Sequence, residues 1–438
     1  MPTASSAKSM PSRPVIATLF ILLSATLGAQ EYHYNLKFSI TPRHFADTIA
    51  IEVDDGRIYL PVVLGGTPTR FLLDTGASMG ALFTATPPAP ATASVSPAPA
   101  SSSPVGCAAA LPQPVGFITS HDATGQTRKT PVVRLPDLQI GRLTLSGYHA
   151  NLLPPLPGRD CAGIIGFDIF NKGILAKIDV RNRRLILTDR RRHFSPERQQ
   201  GYEARYRLRR HVPLVSLSPF SDYTDEARFD TGDRSLYTLS SQSLDSALAV
   251  SADEIEAQVE ARTHGSQRIS HFGTETTDEV AALRLTALRW GDFTFRRVAT
   301  LTAQGSSAVG TALLDYGAVV IDPRRRRLMF LPYDTADAEQ NVDNRLPDIY
   351  YVPDRLGRPT VGLVWEHGEA YRQGFRQGDL IMAVNGIPVN SIAEFTNYPF
   401  IGNQVYTVTV SDKLGTVRQL RLHFPTSAWD GAEPSPLR

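Results

Sequence analysis

Phe71-Leu72-Leu73-Asp74-Thr75-Gly76, a strand-like apolar run ending in a tight polar turn, returns in the second half as Ala227-Arg228-Phe229-Asp230-Thr231-Gly232. Upstream, Ile58-Tyr-Leu-Pro-Val-Val-Leu-Gly leads into the first copy and Val212-Pro-Leu-Val-Ser-Leu into the second. Downstream, Arg134-Leu-Pro-Asp-Leu-Gln-Ile-Gly-Arg-Leu-Thr-Leu matches Arg284-Leu-Thr-Ala-Leu-Arg-Trp-Gly-Asp-Phe-Thr-Phe. Alternation on either side of Gly141 and Gly291 reads as a hairpin in each copy. The copies also close alike: Gly163-Ile-Ile-Gly166 through Ile178-Asp179 to Arg184-Leu-Ile-Leu, against Ala308-Val-Gly310 through Ile321-Asp322 to Arg327-Leu-Met-Phe. Matched segments in the same order imply a duplication, so the sequence predicts a mostly β chain with two similar domains in tandem.

Around that repeat the chain divides further. At 438 residues the length suggests roughly three domains. The stretch Thr84–Pro104 is almost all Ala, Pro, Ser and Thr and reads as a disordered insertion, at 84–104, in the first β domain (30–192). Charge-rich segments near 192–210 and 337–345 bound the second β domain (193–335), and a compact α+β pattern follows over 345–426, with a tail at 427–438. Lys8 and Arg13, the apolar run Val15–Leu27 and Gly28-Ala29 have the layout of an export signal over 1–29, or of an anchor if it stays uncleaved. No Cys follows the run to carry a lipid. Export would place the chain in the periplasm or outside the cell, where the only two cysteines, Cys107 and Cys161, meet an oxidising compartment and can pair or remain thiols. The segment 30–54 fits either a short propeptide or the first strands.

Composition excludes some partners. The 45 basic and 43 acidic side chains leave a net charge of +2, which gives the molecule no bias toward nucleic acid, and the ten histidines form no metal-ligand spacing. The reading therefore contains no cofactor, no metal and no nucleic acid.

The chemistry sits in the two Asp-Thr-Gly turns. Gly76 and Gly232 permit a backbone turn that leaves a carboxylate exposed at a strand end. Two such turns apposed would place Asp74 and Asp230 too close to ionise together, so they would share a proton and could activate water as a base and an acid. Thr75 and Thr231 would hold the turns in register by hydrogen bonds to the opposite half.

These motifs resemble the pepsin and retropepsin superfamily of aspartic peptidases over residues 50–335. The resemblance implies two β-barrel lobes around a cleft, with Asp74 and Asp230 catalytic and Gly166 and Gly310 bracing the turns. It also implies a hairpin flap on each side of the cleft, for which Ser120–Lys129 and Gly265–Thr276 stand in the right places. The sequence departs from the pattern in having no Tyr near the first flap, and in placing Asp233 after the second turn, where a small residue is usual. A third carboxylate there would disturb the shared proton unless it points outward and pairs with Arg234. Cleavage by a single-chain monomer, cleavage by a dimer pairing Asp74 across two chains, and a peptide-binding protein that has lost turnover are the three readings this leaves. The C-terminal pattern, Gly374-Phe375-Arg-Gln-Gly378-Asp379-Leu-Ile381 through Val384-Asn385-Gly386, resembles PDZ domains of bacterial secreted proteases. Such a module binds peptide C-termini by strand addition, here through Asp354–Arg358 or Val361–Val364, or else it serves a packing or regulatory role.

Overall fold

The computed structural model describes residues 30–84, 112–155, 159–275, 277–334 and 337–424. The expected export signal, the insertion beyond Thr84, the C-terminal tail and Cys107 lie outside the described residues, and with Cys107 lies the pairing to Cys161.

The chain is mostly β, as the alternation predicts. Among the described residues, one 11-stranded sheet is built from the first half alone, and a 14-stranded sheet runs through both halves. The second sheet joins the halves where Leu175–Asp179 pairs antiparallel with Gly317–Asp322, and within the first half Arg184–Thr188 pairs with Ala46–Ala50. The segment 30–54, which the sequence left undecided, thus supplies strands at Ser39–Thr41, Ala46–Ala50 and Glu52–Asp54. One apolar core runs beneath both halves, from Phe38 through Phe71, Ile165 and Phe229 to Phe330.

The repeat has a common local plan. Gly163–Ile165 lies parallel to Phe71–Leu73, and Ala308–Val309 lies parallel to Arg228–Phe229, so each apolar-apolar-Gly segment runs beside the strand that enters its turn. Asp74 N–H then donates to Ile165 O at 3.0 Å and Asp230 N–H to Val309 O at 2.8 Å. These bonds fix where each strand stops and its turn begins.

The C-terminal unit is a six-stranded sheet with short helices Glu369–Arg372 and Ile392–Thr396 around its own core. Its motif residues are framework. Phe375 is fully buried, Gly374 and Gly378 take positive φ at turns, and Asn385-Gly386 turns between Leu380–Val384 and Ile387–Pro388. Asp379 is buried, accepting from Arg376 N–H at 2.8 Å and Arg418 Nη2 at 2.6 Å. Trp365 is buried against Val280, Ala282, Leu301 and Leu363, which makes it part of the seam between this unit and the second half.

Candidate functional site

The two turns meet. Thr75 Oγ1 donates to Phe229 O at 2.7 Å and accepts from Thr231 N–H at 3.0 Å, while Thr231 Oγ1 donates to Leu73 O at 2.7 Å and accepts from Thr75 N–H at 3.0 Å. All four bonds are buried and cross between the copies. Each carboxylate also folds back on its own turn: Gly76 N–H donates to Asp74 Oδ1 at 2.9 Å and Gly232 N–H to Asp230 Oδ1 at 3.0 Å. A Cβ on Gly232 would lie 2.6 Å from Asp74 Oδ2, and one on Gly76 would strike the Asp230 carboxyl, so only glycine lets the acids approach across the interface.

The bracing glycines are equally constrained. A Cβ on Gly166 would stand 2.5 Å from the carbonyl carbon of Met79, and one on Gly310 2.5 Å from the carbonyl oxygens of Asp233 and Ser235. Because these neighbours are backbone, they cannot swing away. Gly166→Ala is expected to cost about 3 kcal/mol through overpacking, read as a lowered melting temperature.

The Asp74 and Asp230 carboxyls face each other across the two turns, each lying against the other copy's glycine. Burial, and then the charge of Asp230, push the Asp74 carboxyl up to about 7, against the opposing pull of Arg159 and Arg228. The pair is unequal, because Arg228 Nε donates to Asp230 Oδ2 at 2.8 Å in an ion pair whose side chains are only 14% and 9% exposed.

Asp233 differs from expectation. It does not pair with Arg234, whose guanidinium turns away to Asp55; Asp233 instead forms an ion pair with Arg268. Burial raises the Asp233 carboxyl, but Arg268 and the N–H and hydroxyl of Ser235 outweigh it and hold the group below its usual range. It therefore stays charged and compensated beside the dyad.

Both flap candidates are hairpins. The first joins Pro114–His121 to Thr127–Arg134 and the second joins Ile269–Ser270 to Gly273–Thr274. Their tips touch: Phe272 N–H donates to Asp122 Oδ2 at 3.1 Å and Gln126 Nε2 to Thr274 O at 3.2 Å. Phe272 packs into an apolar cluster of the first half that holds Tyr59, Leu72, Phe83, Leu153 and Ile164, with Cys161 at its margin, where burial pushes the thiol up. The base of the second hairpin rests on the C-terminal unit through Ser266 N–H to Gly362 O at 2.9 Å.

Sequence reasoning missed Arg228 and Arg268. A signal for Arg228 was present, since the repeat sets it opposite buried Leu72, and a charge at an apolar strand position two residues before a turn is a mismatch. Arg268 had none, because its partner is 35 residues away.

Among the described residues no group of three or more His, Cys, Asp or Glu side chains is placed to hold a metal, and no helix is long and apolar enough to cross a membrane. No family model matches the chain, and no curated protein matches it. Among solved structures, basic 7S globulin from soybean aligns over 66% of this chain and 95% of its own at 13% identity, with a TM-score of 0.38. Conglutin gamma, a basic 7S globulin from lupine seeds, aligns over the same shares at 14% identity and a TM-score of 0.39.

Proposed function

We propose that this chain is an exported aspartic endopeptidase of the pepsin/retropepsin kind, monomeric, with its two β lobes forming the cleft and a PDZ-like module at the C-terminus. The observation that carries the reading is the reciprocal threonine network, which brings Asp74 and Asp230 together within one chain. In the reaction one carboxylate accepts a proton from water as its oxygen attacks the scissile carbonyl carbon, while the other carboxyl gives its proton to the carbonyl oxygen. The resulting gem-diol collapses as the first group protonates the amide nitrogen, the C–N bond breaks, and the second recovers its proton. The dyad ends as it began. Substrates are peptides or unfolded proteins, no metal, cofactor or nucleic acid takes part, and the site of action is the periplasm or the exterior. The PDZ-like module binds peptide C-termini or regulates access through its seam with the second hairpin.

A second reading, a peptide-binding protein without turnover, is favoured by the joined hairpin tips and the placement of Phe272 in the cleft-side cluster. The purified protein should cut an unfolded protein substrate somewhere between pH 3 and pH 8, with new termini identified by mass spectrometry. Asp74→Asn and Asp230→Asn should each abolish cutting, because the dyad is intramolecular; loss with Asp74→Asn but not with Asp230→Asn would point to a dimer pairing Asp74 across two chains. No cutting at any pH would favour the binding protein.

A further inference from the structure

The second turn carries a cation that the first lacks. The strand that enters it places Arg228 where the duplicated strand has Leu72, and the guanidinium lies against Asp230 Oδ2 at 2.8 Å. Structural economy does not account for this. Leu72 is fully buried in an apolar cluster, whereas Arg228 Nη2 is buried with no hydrogen-bond partner among the described residues, and an unmet buried donor costs stability. A buried ion pair is in general no more stabilising than apolar residues of similar volume. What the arginine supplies is charge at one of two otherwise symmetric carboxylates.

We infer that Arg228 is a positioning residue that fixes the negative charge of the dyad on Asp230, making Asp230 the base and Asp74 the proton donor. The inference rests on the peptidase reading above. Of the other charged groups facing the pair, Arg268 also attracts Asp230, but its ion pair is with Asp233. Asp233, on the same turn, is engaged by Arg268 from the second hairpin, where Glu275 also stands. Arg159, from the loop before Gly163, acts on Asp74 and so opposes retention of the proton there. Arg228 is the cation bonded to an acid of the dyad itself.

The sign of the effect follows. A cation beside Asp230 favours the singly ionised dyad over the neutral one and the doubly ionised over the singly ionised, so it draws both proton losses to lower pH. Removing it should move both limbs of the pH–rate profile upward.

The test is the pH dependence of kcat/KM on an unfolded substrate for the full chain and its Arg228→Gln, Arg228→Leu and Arg228→Lys forms. The first two are expected to shift both limbs up by about 1 pH unit or more, while the Lys form, which keeps the charge, stays near wild type. Limbs that do not move in Arg228→Gln overturn the inference while leaving the peptidase reading intact. An inactive wild-type protein fails the peptidase reading instead. Melting temperatures supply a second readout if Arg228→Gln is too unstable to assay. Its loss of melting temperature should shrink in the Asp230→Asn background; an equal loss in both backgrounds shows a packing role and overturns the inference.

Discussion

Asp74→Asn and Asp230→Asn are each expected to lower kcat about 1,000-fold or more, because an amide can neither take the proton from water nor return one to the carbonyl oxygen. Their stabilities should diverge. The Asp74 carboxyl is raised to about 7, so between about pH 4 and pH 7 it stays protonated in the folded protein while the unfolded chain ionises. Wild-type stability therefore falls as pH rises through that window, by up to about 1.4 kcal/mol per pH unit, and levels off above it. Asp74→Asn removes that slope, gaining on wild type across the window. Asp230→Asn strips Arg228 of its counter-charge and should lose about 3 kcal/mol. Urea denaturation at pH 5 and pH 8 reads both effects; two variants with the same profile would contradict the asymmetry of the pair.

Thr75→Val should be the most damaging conservative change outside the carboxylates. It removes one hydroxyl and leaves two buried groups without a partner, the Phe229 carbonyl and the Thr231 N–H. At about 1–3 kcal/mol for each orphaned group, the loss is about 4 kcal/mol. Activity should fall as well, since the same bonds set the distance between the carboxylates. Thr231→Val orphans the Leu73 carbonyl and the Thr75 N–H and should match it closely. The double variant should cost less than the sum of the two, because both act on one network. Thermal melts of the four proteins decide this, and strict additivity would mean that the bonds do not form a unit.

How much of this was legible in the sequence depended on range. The mostly β class followed from local alternation, and the duplicated Asp-Thr-Gly singled out Asp74 and Asp230 because a repeat filters chance. The segment 30–54 could not be decided, since Ala46–Ala50 is short and its partner Arg184–Thr188 lies in a distant part of the chain. Asp233 was misjudged for a similar reason. Its neighbour Arg234 was the obvious cation, but the turn directs that side chain to Asp55 and leaves Asp233 to Arg268. In the C-terminal motif, Gly374, Phe375, Gly378, Asp379, Asn385 and Gly386 serve turns and core, so their spacing was legible from local turn chemistry. A motif dominated by such residues marks a fold more readily than it marks a ligand.

The meeting of Phe272 and Thr274 with Asp122 and Gln126 has a consequence for concentration. On the peptidase reading, an extended peptide enters between the dyad and the two hairpins, so it would bind in molecules whose joined tips have parted. If two hydrogen bonds and the burial of one aromatic ring hold the closed form by about 3 kcal/mol, the open fraction is roughly one in a hundred. Every ligand's apparent affinity is then weakened by that factor, whatever its intrinsic fit. On that reading the joined tips would act as a threshold, sparing scarce polypeptides and engaging those that accumulate, and a variant that loosens them would lower it for all alike.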